Sequence, residues 1–414
     1  MGSPACIATA VDLSLKYGNC DLLENGYGIS LRTLSSYAEK NFGCDERFLP
    51  LSEEHTLDSR DAMQIAKMRK AIFFLMLKLE GALIARHPEY GMADRDLLSH
   101  IDFAAQTVEL DGEKLRFDAS DLTTVDPSAP HRLTEEEAAV VNSLRRSFLS
   151  SEKLKRHLDF LMSHGSLYLI YNDNLIYHGC IPLRADGSYA EHTEGGRTYA
   201  GKAYMDLCER RVRAAYAVYQ ARGDETAADF LWYLWCGKLS PLFGRDRMTT
   251  FERLYLQDER FHAEHKNPYY TYYLRRENCE KWLRDFGISG EYCHIVNGHV
   301  PVKQIEGESP IKADGKLIVI DGGFCRAYHQ KTGIAGYTLI YNSYGLRLSA
   351  HEPFDSIEKA IEERSDIHSN VTVFETSESR IKVGETDIGR RLKERIADLK
   401  ELLHSYRCEG AGEE

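Results

Sequence analysis

At 414 residues the chain is long enough to bury a large core and to fold as two or three domains. Its 43% apolar and 28% charged content is that of a soluble globular protein. A net charge of −12 argues against nucleic acid or an anionic membrane surface as partner, leaving anionic small molecules to be bound at local positive sites. The ten cysteines include no C-x-x-C pair, which favours reduced thiols in a cytoplasmic protein over a disulfide framework. The most apolar run, Ala71–Leu77, stops at Lys78, far short of the roughly 20 residues that cross a bilayer.

In chain order, helices are expected over Ala5–Tyr17 and Leu31–Lys40, separated by the glycine-rich Asn25-Gly-Tyr-Gly28. A chain that opens in so apolar a helix, with no strand before it, is expected to lack what that helix packs against. A long helix comes next over Ser59–His87, with Ile65, Met68, Ile72, Leu75, Leu79 and Ala82 at a and d spacing and Lys67, Lys70 and Lys78 off that seam. One face of it therefore wants a partner helix, from an internal hairpin or from a second copy. Residues 100–133 form a polar connector with a short strand pair around Thr107–Phe117. Thr134-Glu-Glu-Glu137 has the form of a capping box and opens a helix to about Leu161.

Leu167–Tyr171 and Leu175–Pro182 then read as a hairpin with a three-residue turn, Asn172-Asp-Asn174, whose second strand delivers His178-Gly179. After a turn at Gly195-Gly196, helices are expected over Ala203–Ala221, Thr226–Trp235 and Cys279–Phe286, with a basic, aromatic, loop-like stretch over Lys238–Tyr273. From Tyr292 the pattern changes to strands: 292–296, 316–321, 336–342, 346–351 and 371–375. Ile388–Tyr406 is a closing amphipathic helix before an acidic tail. Strands after helices suit the second half of a β-sandwich with flanking helices.

Chemistry concentrates where apolar runs end. Tyr292–Val296 runs into Asn297-Gly-His299, and Leu317–Ile320 into Asp321-Gly-Gly323. A His or Asp just past a strand end sits at a sheet rim, and a neighbouring glycine lets backbone approach a metal or a phosphate. Two such histidines, His178 and His299, suit a metal site gathered from separated segments, since imidazole is the commonest ligand for zinc, manganese or iron. By position alone each reads more readily as a hydrogen-bonded strand-end histidine than as a ligand. Lys238, Arg245 and Arg247, in a glycine-punctuated loop, offer cations for phosphate, or a solvated basic loop. Lys303 and Arg275-Arg276 are weaker candidates of the same kind. His294 and His351 read as core or rim residues.

At these residues the chain resembles the class III fructose-1,6-bisphosphatases, a branch of the calcineurin-like metallophosphatases. The likeness is carried by Tyr177-His-Gly-Cys-Ile-Pro-Leu183, Phe230-Leu-Trp-Tyr-Leu-Trp-Cys-Gly-Lys238, Leu242-Phe-Gly244, Met248-Thr-Thr-Phe-Glu-Arg253 and Asn297-Gly-His-Val-Pro-Val-Lys303. Thr332–Ser343 and Thr386-Asp-Ile-Gly389 extend it across the chain. The resemblance implies an α/β (α+β) fold built on an incomplete calcineurin-like metallophosphatase β-sandwich flanked by helices, with a helical insertion. It implies segments at 1–57 (a helical remnant), 58–160 (the insertion), 161–385 (the second half of the sandwich, with the substrate loop) and 386–414 (helix and tail).

The activity implied is hydrolysis of fructose 1,6-bisphosphate to fructose 6-phosphate in gluconeogenesis by a metal-activated water, with manganese as cofactor. His178 and His299 take the places of family metal ligands, Arg245, Arg247 and Lys238 meet the substrate, and Asp321 orients a loop or ligand behind them. The family's D-x-H, G-D-x-x-D-R-G and G-N-H-[DE] strings, with its catalytic His and bridging Asp, have no counterpart here. Gly2-Ser-Pro-Ala-Cys-Ile-Ala8 resembles the family segment on the C-terminal side of G-N-H-D. Asp366-Ile-His368 has the D-x-H spacing at the wrong end of the chain, and Arg222-Gly-Asp224 reads as a turn. A truncated family member is therefore expected, with an inactive scaffold, or a half-enzyme needing a complementing N-terminal chain, as the alternatives. A homo-oligomer is the other partner considered.

Overall fold

Ser59–Arg86, the longest helix (α3), shows how the first half of the chain is held together in the computed structural model, which describes residues 3–51, 59–221, 225–290, 292–323, 332–333, 336–351, 356–364, 369–377 and 379–409. The expected seam residues Ile65, Met68, Ile72 and Leu75 are buried, but so are Phe73, Phe74, Met76 and Leu77 on the other faces. A helix apolar all round is an interior helix. Helices α1 (Pro4–Lys16) and α2 (Arg32–Asn41) lie against it, so the partner face comes from the same chain. The apolar face of α1, expected to be left uncovered, is covered: Ala5, Ile7, Ala8, Val11 and Leu15 are all buried.

Two lysines expected off the apolar seam of α3 are buried in ion pairs. Lys70 Nζ lies 3.0 Å from Asp45 and 2.8 Å from Asp121, and Lys78 Nζ lies 2.7 Å from Glu137 with both side chains out of solvent. Seam periodicity could not show this, because only the rest of the fold says what faces a helix's flank. Glu137 also closes the capping box at Thr134: the Thr134 N–H donates to its carboxylate at 2.7 Å, and its own N–H donates to Thr134 Oγ1 at 3.2 Å. The helix opened there, α4 (Glu135–Ser150), does not run on to Leu161. Ser151 breaks it, its hydroxyl accepting from Leu154 N and capping α5 (Glu152–His164).

The fold is mixed α/β and forms two units, Met1–Leu167 with Ile181–Pro268, and Tyr168–Cys180 with Tyr269–Glu414. The first also holds β1 (Ile101–Asp102), β2 (Thr107–Leu110) and β3 (Glu113–Arg116) in a small antiparallel sheet, and the β6–β7 hairpin (Glu191–Glu194, Arg197–Ala200) through Gly195-Gly196. Helices α6 (Gly201–Gln220) and α7 (Asp229–Cys236) bury Tyr204, Tyr233 and Trp232. The stretch expected to be loop-like carries α8 (Thr250–Tyr255), which buries Phe251 in the core of α3.

The second unit is built on a five-stranded sheet of order β4-β5-β8-β10-β9, from Tyr168–Tyr171, Asn174–Tyr177, Ile295–Asn297, Leu317–Val319 and Ile311–Lys312. β5, β8 and β10 are parallel, with Tyr177, Asn297 and Val319 in register. Their near-continuous Leu, Ile and Val content is that of strands buried on both faces. The β4–β5 turn has two residues rather than three: Asn174 already pairs with Tyr171, and Asn172 and Asp173 both take positive φ, 47° and 60°. α9 (Tyr269–Tyr272) and α10 (Arg276–Asp285) bring Tyr269 and Trp282 together, their rings 5.1 Å apart. Beyond them lies an antiparallel sheet of β11 (Gly336–Asn342), β12 (Gly345–His351) and β13 (Ser369–Val373), with α11 (Ile357–Glu363) between its last two strands and α12 (Asp387–Glu409) closing the chain. His294 ties the two sheets, its ring bonding Glu375 at 2.7 Å and the Gly315 carbonyl at 2.8 Å, and is thus a structural residue.

Candidate metal site at the strand ends

The carboxyl ends of β5, β8 and β10 lie side by side, and each runs straight into one residue singled out from the sequence: His178, His299 and Asp321. The crevice outside the carboxyl ends of parallel strands is the habitual ligand site of such sheets. The loops are laced together past the last strand pairs. Gly298 N–H donates to the His178 carbonyl at 3.0 Å, and Ile320 N–H donates to the Asn297 carbonyl at 3.0 Å. The result sets His178 Nε2 3.0 Å from His299 Nδ1, with the rings edge to face.

His299 is held in an unusual backbone conformation. Its φ is 67°, and Val300 N–H donates to the Gly298 carbonyl at 2.8 Å, closing a three-residue turn with the histidine at its centre. That positive-φ form of the turn is rare and strained for a residue with a Cβ. The turn is compensated from below by Asn297, which is 2% exposed. Its Nδ2 lies 3.3, 3.2 and 2.7 Å from the carbonyls of Tyr177, His178 and Gly179. Asn297 is the residue that sequence reading missed. The available signal was a carboxamide at the end of an apolar strand, immediately before Gly-His.

Electrostatics favour the form of His178 that binds a metal. Burial pushes its pKa down, and the nearby Asp321 carboxylate opposes the shift. A largely neutral imidazole offers a lone pair at neutral pH. Asp321 itself accepts from Gly323 N–H at 3.0 Å, and its carbonyl accepts from Val302 N–H at 2.9 Å, so it fastens the loop after His299. Two nitrogens bound to one cation at right angles stand about 3 Å apart, which the His178–His299 spacing matches. The hydrogen bond between them needs one proton that a cation would displace. They supply two donors, and among the described residues no group of three or more His, Cys, Asp or Glu is placed to hold a metal. Asp366-Ile-His368 and Arg222-Gly-Asp224 lie outside the described residues.

Residues 1–408 match the family described as Firmicute fructose-1,6-bisphosphatase. The chain belongs to that family. It is 48% identical over 411 residues to the fructose-1,6-bisphosphatase class 3 of Clostridium tetani, and 47% identical over 410 residues to those of Clostridium novyi and Clostridium acetobutylicum. Each alignment covers 98% of this chain and 62% of the relative, so the chain spans about three fifths of the length of these relatives. No solved structure matches it.

For a member of a sugar-phosphatase family the cations are the other half of the question, and all three candidates lie in the first unit. Arg247 is committed to Asp111, with Nη1 3.0 and 2.8 Å from the two carboxylate oxygens. Arg245 donates to the Glu264 carbonyl at 3.3 Å and lies 3.6 Å from its carboxylate. Lys238 is exposed, makes no ion pair among the described residues, and extends over Gly91, where a Cβ would lie 3.5 Å from its Nζ. Of the weaker candidates, Lys303 pairs with Glu306 and Arg276 with Glu280.

Proposed function

We propose that this chain is the metal-histidine portion of a class III fructose-1,6-bisphosphatase, hydrolysing fructose 1,6-bisphosphate to fructose 6-phosphate and phosphate in gluconeogenesis, in the cytoplasm. Membership of the family supports the reading, and the observation that carries it is the imidazole pair, 3.0 Å apart at the ends of adjacent parallel strands. His178 Nε2 and His299 Nδ1 would hold one divalent cation, manganese in this reading, which when bound supplies Lewis acidity and an activated water. The chain's own residues set up the imidazole pair. Asn297 locks the two imidazole-bearing loops together, burial keeps His178 neutral, and Asp321 holds the loop after His299. Among Lys238, Arg245 and Arg247, the proposed phosphate contact is Lys238, whose ammonium has no carboxylate partner among the described residues, whereas Arg245 and Arg247 would first have to give up Glu264 and Asp111.

The test is phosphate release from fructose 1,6-bisphosphate by the 414-residue chain with manganese, beside a His178→Ala/His299→Ala variant. Release by the parent chain that falls to background in the variant is the expected result. Release that survives the double substitution would sink the assignment of these ligands. Release by neither chain would favour the alternative reading, a scaffold or half-enzyme, and adding a separate chain bearing the D-x-H, G-D-x-x-D-R-G and G-N-H-D strings would tell those two apart.

A further inference from the structure

Helix α12 leaves the body of the second unit, to which it belongs, almost at once. Gly389 is buried against the Val383 carbonyl, yet every residue from Arg390 to Cys408 is exposed. In proteins a helix is held mainly by packing of its amphipathic face, so a bare one that carries an apolar stripe lacks a partner among the described residues. The stripe is regular: Leu392, Ile396, Leu399, Leu403 and Tyr406 succeed one another at spacings of four, three, four and three, the seam of a two-helix coiled coil. Leu399 is 63% and Tyr406 71% exposed.

The residues beside the seam identify the occupant. With Ile396 and Leu403 as a positions, the e positions are Lys393, Lys400 and Arg407, and one g position is Arg395. The carboxylates Glu394, Asp398 and Glu401 all fall on the c and f positions, away from the seam. Of the charges that would face a partner, Lys393, Arg395, Lys400 and Arg407 are positive, and Glu409, the last residue of the helix at a g position, is the one exception. A second copy of the same helix fits poorly: paired in parallel it sets Arg395 against the Lys400 of that copy, and antiparallel it sets lysine against lysine. A lipid surface fits poorly too, because the helix has six basic against five acidic residues and the whole chain is at −12.

We propose that α12 is a docking helix for an amphipathic helix of another polypeptide segment, apolar at its a and d positions and acidic at e and g. The proposal does not depend on phosphatase activity, since it is read by binding. The test uses the whole 414-residue chain and two labelled peptides of about three heptads, both leucine at a and d, one with glutamate and the other with lysine at e and g. Like-charged flanks keep each peptide from pairing with itself. Fluorescence anisotropy is expected to show the glutamate peptide binding at least about tenfold tighter than the lysine peptide, with the preference shrinking as salt rises. Leu399→Asp/Leu403→Asp, at exposed positions, is expected to leave the circular dichroism unchanged and to abolish that binding. Equal binding of the two peptides, or of neither, overturns the proposal. So does dimerisation of the chain alone in sedimentation, or binding to phosphatidylserine vesicles, if the same double variant removes it.

Discussion

Asn297 shows how much one side chain can decide. Its buried carboxamide reaches three consecutive carbonyls on the neighbouring strand end, and the two histidine loops meet because of it. Asn297→Ala leaves those carbonyls without their donor, and the expected cost is about 1–3 kcal/mol of stability, read as a lower midpoint in urea. If the histidine pair holds manganese, the same variant is expected to bind it about 10–100-fold more weakly in isothermal titration, whereas a purely structural Asn297 would leave metal affinity unmoved. The string around this residue was plain in the sequence, and so was the placing of His178 and His299 at strand ends. The role of the carboxamide was not, because its partners lie some 120 residues away. A separation of 136 residues likewise hid the pairing of Arg247 with Asp111, which changes a free guanidinium into a committed one.

At the scale of elements, α3 carries the sharpest test. Lys78 and Glu137 form a fully buried ion pair that also involves the Thr124 carbonyl, at 2.7 Å from Lys78 Nζ. Lys78→Met removes one charge and strands the other, so a loss of about 3–5 kcal/mol is expected in chemical unfolding. Lys78→Met/Glu137→Gln, which removes both charges and keeps a capping side chain on α4, is expected to recover most of that loss. A double variant no more stable than the single one would mean that packing, not the orphaned carboxylate, sets the cost. Most helices and strands were legible within a few residues because 3.6- and two-residue periodicities are local properties of the chain. The departures, the break at Ser151 and the two-residue turn at Asn172-Asp173, arise where a side-chain cap or a left-handed backbone pair competes with the periodic signal.

At the scale of the molecule, Glu80 gives stability one pH dependence whose sign can be worked out. Its carboxylate accepts the Trp232 indole N–H at 3.0 Å, and desolvation outweighs that bond, raising its pKa to about 7. A carboxyl whose folded pKa lies above its unfolded value binds an extra proton in the folded state. Its contribution is complete below the unfolded pKa of 4.5 and is lost as pH rises towards 7. Glu80→Gln mimics the protonated form, so its melting temperature should match the parent's near pH 5 and exceed it by several degrees at pH 8. A constant difference across that range would count against a perturbed Glu80. The same scale shows what chain order hid: residues 168–180 belong with 269–414, although 181–268 separates them.

By itself the sequence determined the mixed α/β class, the run of elements, the strand-end histidines and the family, since each is written in local patterns or in unbroken strings of residues. The tertiary structure alone decided which charges are free and which are paired, what covers each helix, and that β5, β8 and β10 bring His178, His299 and Asp321 to one edge. Those are contacts between residues far apart in the chain. A local pattern records that a side chain is apolar, polar or charged, but what it faces is set only when the separated strands and helices pack.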